Sequence, residues 1–339
     1  MTCRLPSAPA ALFTADGCLR DGVYCGSVAD PDVGVRGPFD RLRRKEWHYL
    51  SVCTDRQFIA VAVVQLGYLA NAFAYAVDLA DPCGAPWRFE ALRPLGVAVD
   101  FAPAADRGVT CWHSRGARIE ITGDCRGWRV DLDVPLRRSA MQRPLRGQFT
   151  VQRAESLTLV HRLPTGKPAY TEKEAGLLAE LALAFGDQRV AGPGLATSDW
   201  TRSVALRETR WKWASLVAHL PAGRRLGLNL SAEVYDDARG HGRENAVWID
   251  GAVWPIGGVR FAVPADPERA PWRIDSLEDG AVDLRFEPMG ARRQDLDFGA
   301  VASQFVQPFG RFFGRVVVAG NTVPIAGAVG VVENHRARW

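Results

Sequence analysis

Paired cysteine motifs are missing from this chain of 339 residues. All seven cysteines lie at or before Cys125, no two have the spacing Cys-x-x-Cys, and their number is odd. A structural zinc site usually needs two close pairs of ligands, and a disulfide framework needs an even number of cysteines. Cys18 and Cys25 are the remaining candidates for metal ligands. We expect no metal site, and thiols that stay reduced in a cytoplasmic protein.

Familiar catalytic signatures are also absent. The chain contains no GxSxG nucleophile elbow, no HExxH pair, no Walker loop and no GxGxxG motif after a strand. Each of these motifs supplies a nucleophile, a metal pair or a phosphate cradle at a fixed spacing. The sequence therefore gives no support to the common hydrolase, zinc protease or nucleotide-binding classes.

Blocks of like charge are absent as well. The 42 basic and 38 acidic residues are interspersed and leave a formal net charge of +4. Such a distribution does not favour a nucleic-acid partner. The N-terminal segment MTCRLPSAPAALFTADG lacks the compact basic start and the unbroken apolar run of a secretory signal. A cytoplasmic location is the resulting expectation.

One long apolar run is present. Residues 58–77, FIAVAVVQLGYLANAFAYAV, include no charged side chain, and their length is about that of a membrane helix. Gly67 divides the run, and Gln65 and Asn71 make it partly polar. We predict two buried strands that meet near Gly67, with a core helix or a membrane span as alternatives. We thus expect no transmembrane segment, although transient membrane contact stays open.

Strand patterns dominate the rest of the chain. Apolar and polar residues alternate in GARIEITGD and in RRLGLNLSAEV, and Asp250-Gly251 stands between two apolar runs as in a tight hairpin. The clear helical candidate is residues 171–185, TEKEAGLLAELALAF. There Thr171 can cap a helix and Glu174 can complete a capping box, although half of the segment also fits an extended strand.

This pattern predicts an all-β fold with few short helices. A long antiparallel sheet leaves exposed edges unless it closes, and closure of about eight strands makes a small barrel. We predict two consecutive antiparallel barrels, formed by residues 1–165 and 166–339. The joint is expected at residues 163–168, LPTGKP.

The final predicted strand, VGVVENHRARW, carries a candidate site. Glu333 and His335 extend an apolar face, while Asn334 and Arg336 alternate with them and face water. A carboxylate on an apolar face loses hydration, so its pKa rises and it can donate a proton near neutral pH. The alternative is an inert Glu333–His335 pair that is tied to its neighbours at a barrel rim.

Tryptophans and further acidic residues form a second set of candidates. Trp211 and Trp213 share one face of ETRWKWAS and are expected to point into a barrel. They serve there either as core or as an aromatic wall for an apolar ligand or a cationic intermediate. The remaining candidates are Asp199 and Trp200 in SDWTR, and Glu244, Asn245 and Trp248 in RENAVW. We place Glu244 on the same face as Trp248, and the carboxylates can equally cap loops.

Nine segments in order resemble the bacterial family known as domain of unknown function 2804. The resemblance extends from about residue 12 to the C-terminus. The segments are RRKEWHYLSV, VVQLGYLANAFAYAVDL, SDWTRSVALRETRWKWAS, GLNLSAEV, ENAVWIDGAVWPIGGVRF, PWRI, VDLRFEP, QFVQPFGRFFGRVV and GVVENHRARW.

The resemblance implies two lipocalin-like barrels of the calycin superfamily, near carotenoid 1,2-hydratase and AttH-like proteins. It also implies a hydrophobic lipid or isoprenoid-like ligand and no cofactor, because some relatives hydrate double bonds or cyclise prenyl chains without one. On this basis Glu333 or Glu244 is the acid, and His335 positions it or a water. The implied ligand-binding residues are Trp211, Trp213, Trp248, Asn245, Asp199 and Trp200.

Three functions follow as hypotheses. The first is a hydratase, isomerase or cyclase that acts on a lipid or terpenoid, and the second is a carrier or sensor without chemistry. The third is a partner-binding protein whose barrels are filled by side chains, which a cavity below roughly 300 Å³ would favour.

Overall fold

The fold is given by a computed structural model that describes residues 5–35, 37–81, 85–297, 299 and 301–339. Cys3 and Cys83 lie outside these ranges, and no disulfide bond joins the cysteines within them. One α-helix, α1 (Pro38–Arg43), and one turn of 3₁₀-helix, Pro221–Gly223, occur within the described ranges. Nearly all other regular structure there is antiparallel strand.

The first sheet contains thirteen strands. They are β1 (Gly22–Cys25), β2 (Arg44–Cys53), β3 (Gln57–Gln65), β4 (Leu69–Asp78), β5 (Trp87–Pro94), β6 (Val99–Asp100), β7 (Gly108–Ser114), β8 (Ala117–Asp124), β9 (Gly127–Arg138), β10 (Met141–Gln152), β11 (Leu157–Arg162), β12 (Pro168–Phe185) and β13 (Gln188–Val204).

Eight of these strands close a ring. They pair in the order β12, β13, β2, β3, β4, β5, β9 and β10, and β10 pairs back onto β12. Alternate side chains point inward from each strand and fill the interior, because successive residues of a strand face opposite sides. This first core includes Leu50, Val61, Val130, Phe149 and Leu181.

The second sheet contains nine strands in the order β17-β16-β15-β14-β22-β21-β20-β19-β18. They are β14 (Glu208–His219), β15 (Arg225–Ala232), β16 (Ala246–Ile249), β17 (Ala252–Pro255), β18 (Val259–Ala262), β19 (Trp272–Ser276), β20 (Val282–Asp297), β21 (Ala302–Val318) and β22 (Asn321–Arg338). The sheet curls until β18 contacts β15. Its own core includes Leu216, Leu228, Trp272, Phe286 and Phe312. The predicted all-β fold of two consecutive antiparallel barrels is confirmed.

The predicted hairpin within residues 58–77 is confirmed. It forms β3 and β4, which are joined by a turn at Leu66, Gly67 and Tyr68. Both faces are buried because the inner face packs in the first core and the outer face packs against the second sheet. The outer contacts join Phe58 and Ala60 to residues such as Phe309. Within the described ranges, no helix has the length and apolarity to cross a bilayer.

The predicted helix at residues 171–185 is wrong, because this segment lies in β12. Its second half alternates strictly between buried and exposed residues, and its first half is buried throughout. β12 pairs with β13 on one edge and with β10 and β11 on the other. This pairing overrides the helical preference of its alanine and leucine residues.

The two sheets divide at residues 205–207, between Val204 and Glu208. The joint expected at residues 163–168 is instead a turn inside the first sheet, where the N–H of Leu163 donates to the carbonyl of Lys167. The long strands β12 and β13 therefore belong to the first sheet, although they follow the predicted boundary at residue 165.

The backbones of the two sheets come very close where β12 crosses β15. Gly176 lies at a bulge of β12 with φ +69°, a conformation that favours glycine. A Cβ built on Gly227 would lie 2.2 Å from the carbonyl carbon of Ala175. Only residues without side chains allow this approach, so the pair fixes one point of contact between the sheets.

Candidate functional site

A cavity of about 350 Å³ lies between the two sheets. Its buried end holds Lys173, Asp199 and Glu244, whereas Tyr68 and Trp339 are partly exposed and mark the open side. Aromatic side chains from both sheets form much of the wall: Trp47, Tyr49, Tyr68, Phe73, Trp211, Trp213, Tyr235, Phe305 and Trp339. The cavity is thus outside both barrel cores and is shaped by their facing surfaces.

Trp211 and Trp213 belong to this cavity, although the prediction that they point into a barrel is wrong. They point out of the second sheet, so that Trp211 stacks on Trp47 at 6.1 Å between ring centroids. Trp213 meets Tyr49 edge-on at 5.6 Å, and its Nε1 donates to Asn229 at 2.7 Å. Their neighbours on β14 with the opposite orientation fill the second core.

Glu333 is a buried carboxyl group on the cavity wall, on the face of β22 that carries Val329 and Val331 and packs against the first sheet, not on the face that fills the second barrel. Its Oε1 accepts a hydrogen bond from Trp211 Nε1 at 2.5 Å, and its Oε2 accepts one from Gln307 Nε2 at 2.8 Å. Tyr75 donates to the amide oxygen of Gln307 at 3.0 Å. Burial raises the pKa of Glu333 to about 7, against the lowering effect of the two donors. The group can therefore hold a proton near neutral pH and release it.

This raised pKa predicts that Glu333 destabilises the folded protein as the pH increases. Between its ordinary pKa of 4.5 and about 7, the unfolded chain releases the proton while the folded chain retains it. The free energy of unfolding of Glu333→Gln should therefore rise relative to that of the wild type across this window, by on the order of 3 kcal/mol above pH 7. Urea unfolding of both proteins at about pH 5 and pH 8 measures it. Burial also raises the pKa of Glu174 to about 7, but that group is common to both proteins. Equal pH slopes for the two proteins would contradict the prediction.

His335 also lines the cavity, two residues after Glu333 on the same face of β22. Ser303 Oγ donates to Gln294, which leaves that oxygen to accept from Nε2–H of His335 at 2.9 Å. The other ring nitrogen, Nδ1, is buried and has no hydrogen-bond partner among the described residues. Burial, with a smaller effect from Arg292, lowers the pKa of His335 to about 3. A neutral imidazole with its Nδ1 lone pair available is the result.

A buried charge cluster forms the inner end of the cavity. Lys173 Nζ lies 2.5 Å from Asp199 Oδ2 and 3.7 Å from Glu244 Oε1. Burial acts to lower the pKa of Lys173, but the two carboxylates outweigh it and raise that pKa. Burial raises the pKa of Glu244, and Ser231 donates to its Oε2 at 3.1 Å. The cluster holds its charges in place and gives the cavity one polar end.

Arg292 is a cavity residue that the sequence does not indicate. Its guanidinium is buried and lies between the rings of Phe73 and Phe305, at 4.0 and 4.6 Å from their centroids. One nitrogen donates to Glu90 at 2.7 Å, while Nε has no hydrogen-bond partner among the described residues. Cation–π contacts hold the charge in an otherwise apolar wall.

The sequence does not predict several other residues of the cavity wall, and the reasons can be identified. Lys173 lies in the segment that is predicted as a helix, so the prediction gives it no inward direction. Trp47 and Gln307 lie in RRKEWHYLSV and QFVQPFGRFFGRVV, which carry the resemblance without a role. The alternation of apolar and polar residues in those segments is the available signal.

Trp200 lies outside the cavity wall, in contrast to its predicted role. It follows Asp199 directly on β13 and therefore faces the opposite side of the sheet. There it is fully buried, edge-on to Tyr170 at 5.6 Å and near Phe101 at 5.7 Å.

Trp248 and Asn245 also lie outside the wall. Trp248 is fully buried and donates to the carbonyl of Glu155 at 2.6 Å. Asn245 accepts from the backbone N–H of Ser231 at 2.7 Å and orders the loop before β16. Glu244 and Trp248 do face the same side, toward the first sheet, but Glu244 reaches Lys173 at 3.7 Å whereas Trp248 packs with Leu157 and Ala175 outside the cavity. Six predicted residues line the cavity: Glu333, His335, Glu244, Trp211, Trp213 and Asp199.

The chain was compared with known proteins. The model of a family described as "Domain of unknown function (DUF2804)" matches residues 6–339. A search of curated proteins found no match.

Solved structures share its fold at low sequence identity. An AttH-like protein of Nitrosomonas europaea is 14% identical in sequence. Its superposition covers 86% of this chain and 92% of that one, with a TM-score of 0.51. CghA, solved with Sch210972, is 12% identical, with a TM-score of 0.51 over 87% and 88% of the two chains. Kievitone hydratase from Nectria haematococca is 8% identical, with a TM-score of 0.42 over 100% and 98%. The first two likenesses show the fold alone.

Proposed function

We propose a function for this chain, which belongs to the DUF2804 family, from its candidate site. The site is used because a fold alone does not establish an activity. The protein binds a hydrophobic, lipid or isoprenoid-like ligand between its sheets and acts on it as a cofactor-independent hydratase, isomerase or cyclase. The observation that carries this proposal is Glu333, a buried carboxyl group with a pKa of about 7 on the wall of an aromatic cavity.

The cavity suits an apolar molecule with a polar group. Its volume of about 350 Å³ lies in the range of small-molecule sites. The wall is mainly aromatic and aliphatic, with Arg292 and the Lys173 cluster as polar points. CghA, which has the same fold, was solved with Sch210972, which agrees with the use of this fold to bind a small molecule.

The first chemical step is protonation of a carbon–carbon double bond by Glu333. The π electrons form a bond from one carbon to the carboxyl proton, and the other carbon becomes cationic. The carboxylate that remains accepts hydrogen bonds from Trp211 and Gln307, which stabilise its charge as it develops. The ring faces of Trp47 and Trp211 attract the cation.

The fate of the cation decides the reaction class. In a hydratase, a water adds to the cation and passes one proton to Nδ1 of His335, which is neutral and has no partner among the described residues. In an isomerase, an adjacent carbon returns a proton to Glu333 and the double bond moves. In a cyclase, a second double bond supplies its electrons to the cation before that proton is lost.

A carrier or sensor is the second candidate, and one observation favours it. Both oxygens of Glu333 already accept hydrogen bonds from protein side chains. A carboxyl group held in this way can serve as a fixed polar contact for a ligand that leaves unchanged.

The two candidates are separated by chemistry in heavy water. The purified protein is extracted with organic solvent, and mass spectrometry identifies the bound molecule, which is then returned to the protein in ²H₂O. The enzyme incorporates deuterium into the product at the protonated carbon, since the proton of Glu333 exchanges with solvent. Recovery of an unchanged, unlabelled ligand supports the carrier, and the absence of any bound lipid contradicts both.

A further inference from the structure

Half of the large apolar side chains that are exposed in the described ranges lie in one small area. Phe39, Leu42, Leu95 and Val97 are 79%, 48%, 81% and 55% exposed. These four residues are called the rim patch below. The other four, Val109, Met141, Leu178 and Leu277, lie in β7, β10, β12 and the bend after β19. We propose that the rim patch and the arginines beside it dock the protein on an anionic membrane surface.

The four residues come from two segments that meet at the turn between β3 and β4. The N–H of Leu95 donates to the carbonyl of Tyr68 in that turn at 2.7 Å. A Cβ built on Gly67 would lie 2.4 Å from the carbonyl oxygen of Arg41 and 3.2 Å from Cα of Leu42. Helix α1 and the segment after β5 thus flank one turn and present a joint surface.

A buried lysine fastens α1 to this turn. Lys45 Nζ donates to the carbonyls of Leu42 at 2.5 Å and of Leu66 at 2.8 Å. Phe39 precedes Leu42 by three residues, so the two side chains share one face of the helix. The apolar face therefore has a fixed direction, which docking on a flat surface requires.

The unpaired charges on the helix of the rim patch are positive. Arg41 and Arg43 are exposed in the last turn of α1, and neither takes part in an ion pair within the described part of the chain. The acidic residue of the same helix, Asp40, is paired with Lys167 at 3.0 Å. Exposed apolar tips with basic residues beside them are typical of interfacial membrane contact with anionic lipids.

The rim patch borders the open side of the cavity. Leu66, Tyr68 and Leu69, which form and flank the β3–β4 turn, line the cavity, as does Leu92 shortly before Leu95. Docking through this patch therefore places the opening against the acyl layer, where an apolar molecule can pass without crossing water. This arrangement identifies the occupant of the patch as a lipid surface with acidic headgroups.

Vesicle sedimentation tests the docking. The full chain is mixed with vesicles of phosphatidylglycerol or of phosphatidylcholine, at low and at high salt. We expect binding to phosphatidylglycerol that falls at least tenfold in high salt or on phosphatidylcholine. The variant Phe39→Ser/Leu42→Ser/Leu95→Ser should lose at least tenfold, and Arg41→Gln/Arg43→Gln should lose the salt-dependent part.

A matched control is Met141→Ser/Leu277→Ser, since these side chains are 51% and 40% exposed in other parts of the chain. It should bind vesicles as the wild type does. Equal binding by wild type and rim-patch variant overturns the proposal, as does failure of the wild type to bind either vesicle. Sedimentation velocity gives a further contrary outcome, in which the wild type is a dimer that binds no vesicle and the rim-patch variant is a monomer. The occupant of the rim patch is then a second copy of the chain. Ligand chemistry in the cavity does not enter any of these outcomes.

Discussion

Replacing Glu333 by glutamine should stop conversion of the ligand and leave its binding within a few-fold of wild type. Glutamine has nearly the same shape but no acidic proton, and a positioned general acid contributes roughly 10²–10⁴-fold in rate. The side-chain oxygen of the introduced glutamine can still accept from Trp211. The amide of Gln307 can rotate to accept from the new N–H, and Tyr75 can accept from the rotated amide. Single-turnover deuterium incorporation into the extracted ligand measures the effect.

A matched control for this variant is Glu180→Gln. Glu180 is exposed on β12 and lies away from the cavity, so its loss should leave turnover unchanged. His335→Phe separates the reaction classes, because it removes a nitrogen acceptor and should slow water addition while double-bond migration continues. Unchanged turnover in Glu333→Gln would remove this carboxyl from the reaction and leave the carrier function.

Lys173→Met should lower the free energy of unfolding by about 3–5 kcal/mol, because it leaves two buried carboxylates without their cation. Asp199 lies 2.5 Å from the Lys173 ammonium, and burial already raises the pKa of Glu244. Unfolding in urea, followed by tryptophan fluorescence, measures the loss at neutral pH. A shift toward lower pH should restore part of it, since protonation neutralises the carboxylates.

The control for this prediction is Lys212→Met. Lys212 pairs with Glu233 at a much more exposed position, so its loss should cost under about 1 kcal/mol. Adding Asp199→Asn to Lys173→Met should recover stability, because one of the unpaired charges is then removed. Equal stability of Lys173→Met and Lys212→Met would contradict the role of the cluster.

Much of the fold could be predicted from local patterns. The alternation of apolar and polar residues identifies most strands, and Asp250-Gly251 does form the tight turn between β16 and β17, with φ of +53° and +88°. The prediction for residues 171–185 fails because helix propensity and a capping box are local signals, whereas the pairing of β12 with three other strands is not. The division at residues 205–207 has no marker of glycine or proline, since the chain passes from one sheet to the other almost without a loop.

The candidate site could be predicted only where strand alternation applies. Glu333 and His335 lie on one face of β22, and alternation identifies that face without knowledge of what it contacts. The prediction for Trp248 fails because its side of β16 packs there against Leu157 and Ala175 instead of lining the cavity. Arg292 lies in an ordinary arginine-rich segment, and no local signal shows that Phe73 of another sheet covers it. Contacts between the sheets determine whether a strand face lines the cavity or packs elsewhere between the sheets.

The glycine contact between β12 and β15 limits how a guest molecule can enter. Residues 205–207 join β13 to β14, and the bare backbones at Gly176 and Gly227 touch, so the two barrels are held together at both points. Entry is then left to the open side at Tyr68 and Trp339, which is bordered by surface turns such as the one at Gly67. The rates at which a ligand enters and leaves the cavity should then depend on those turns. A cross-link between the barrels should leave these rates unchanged.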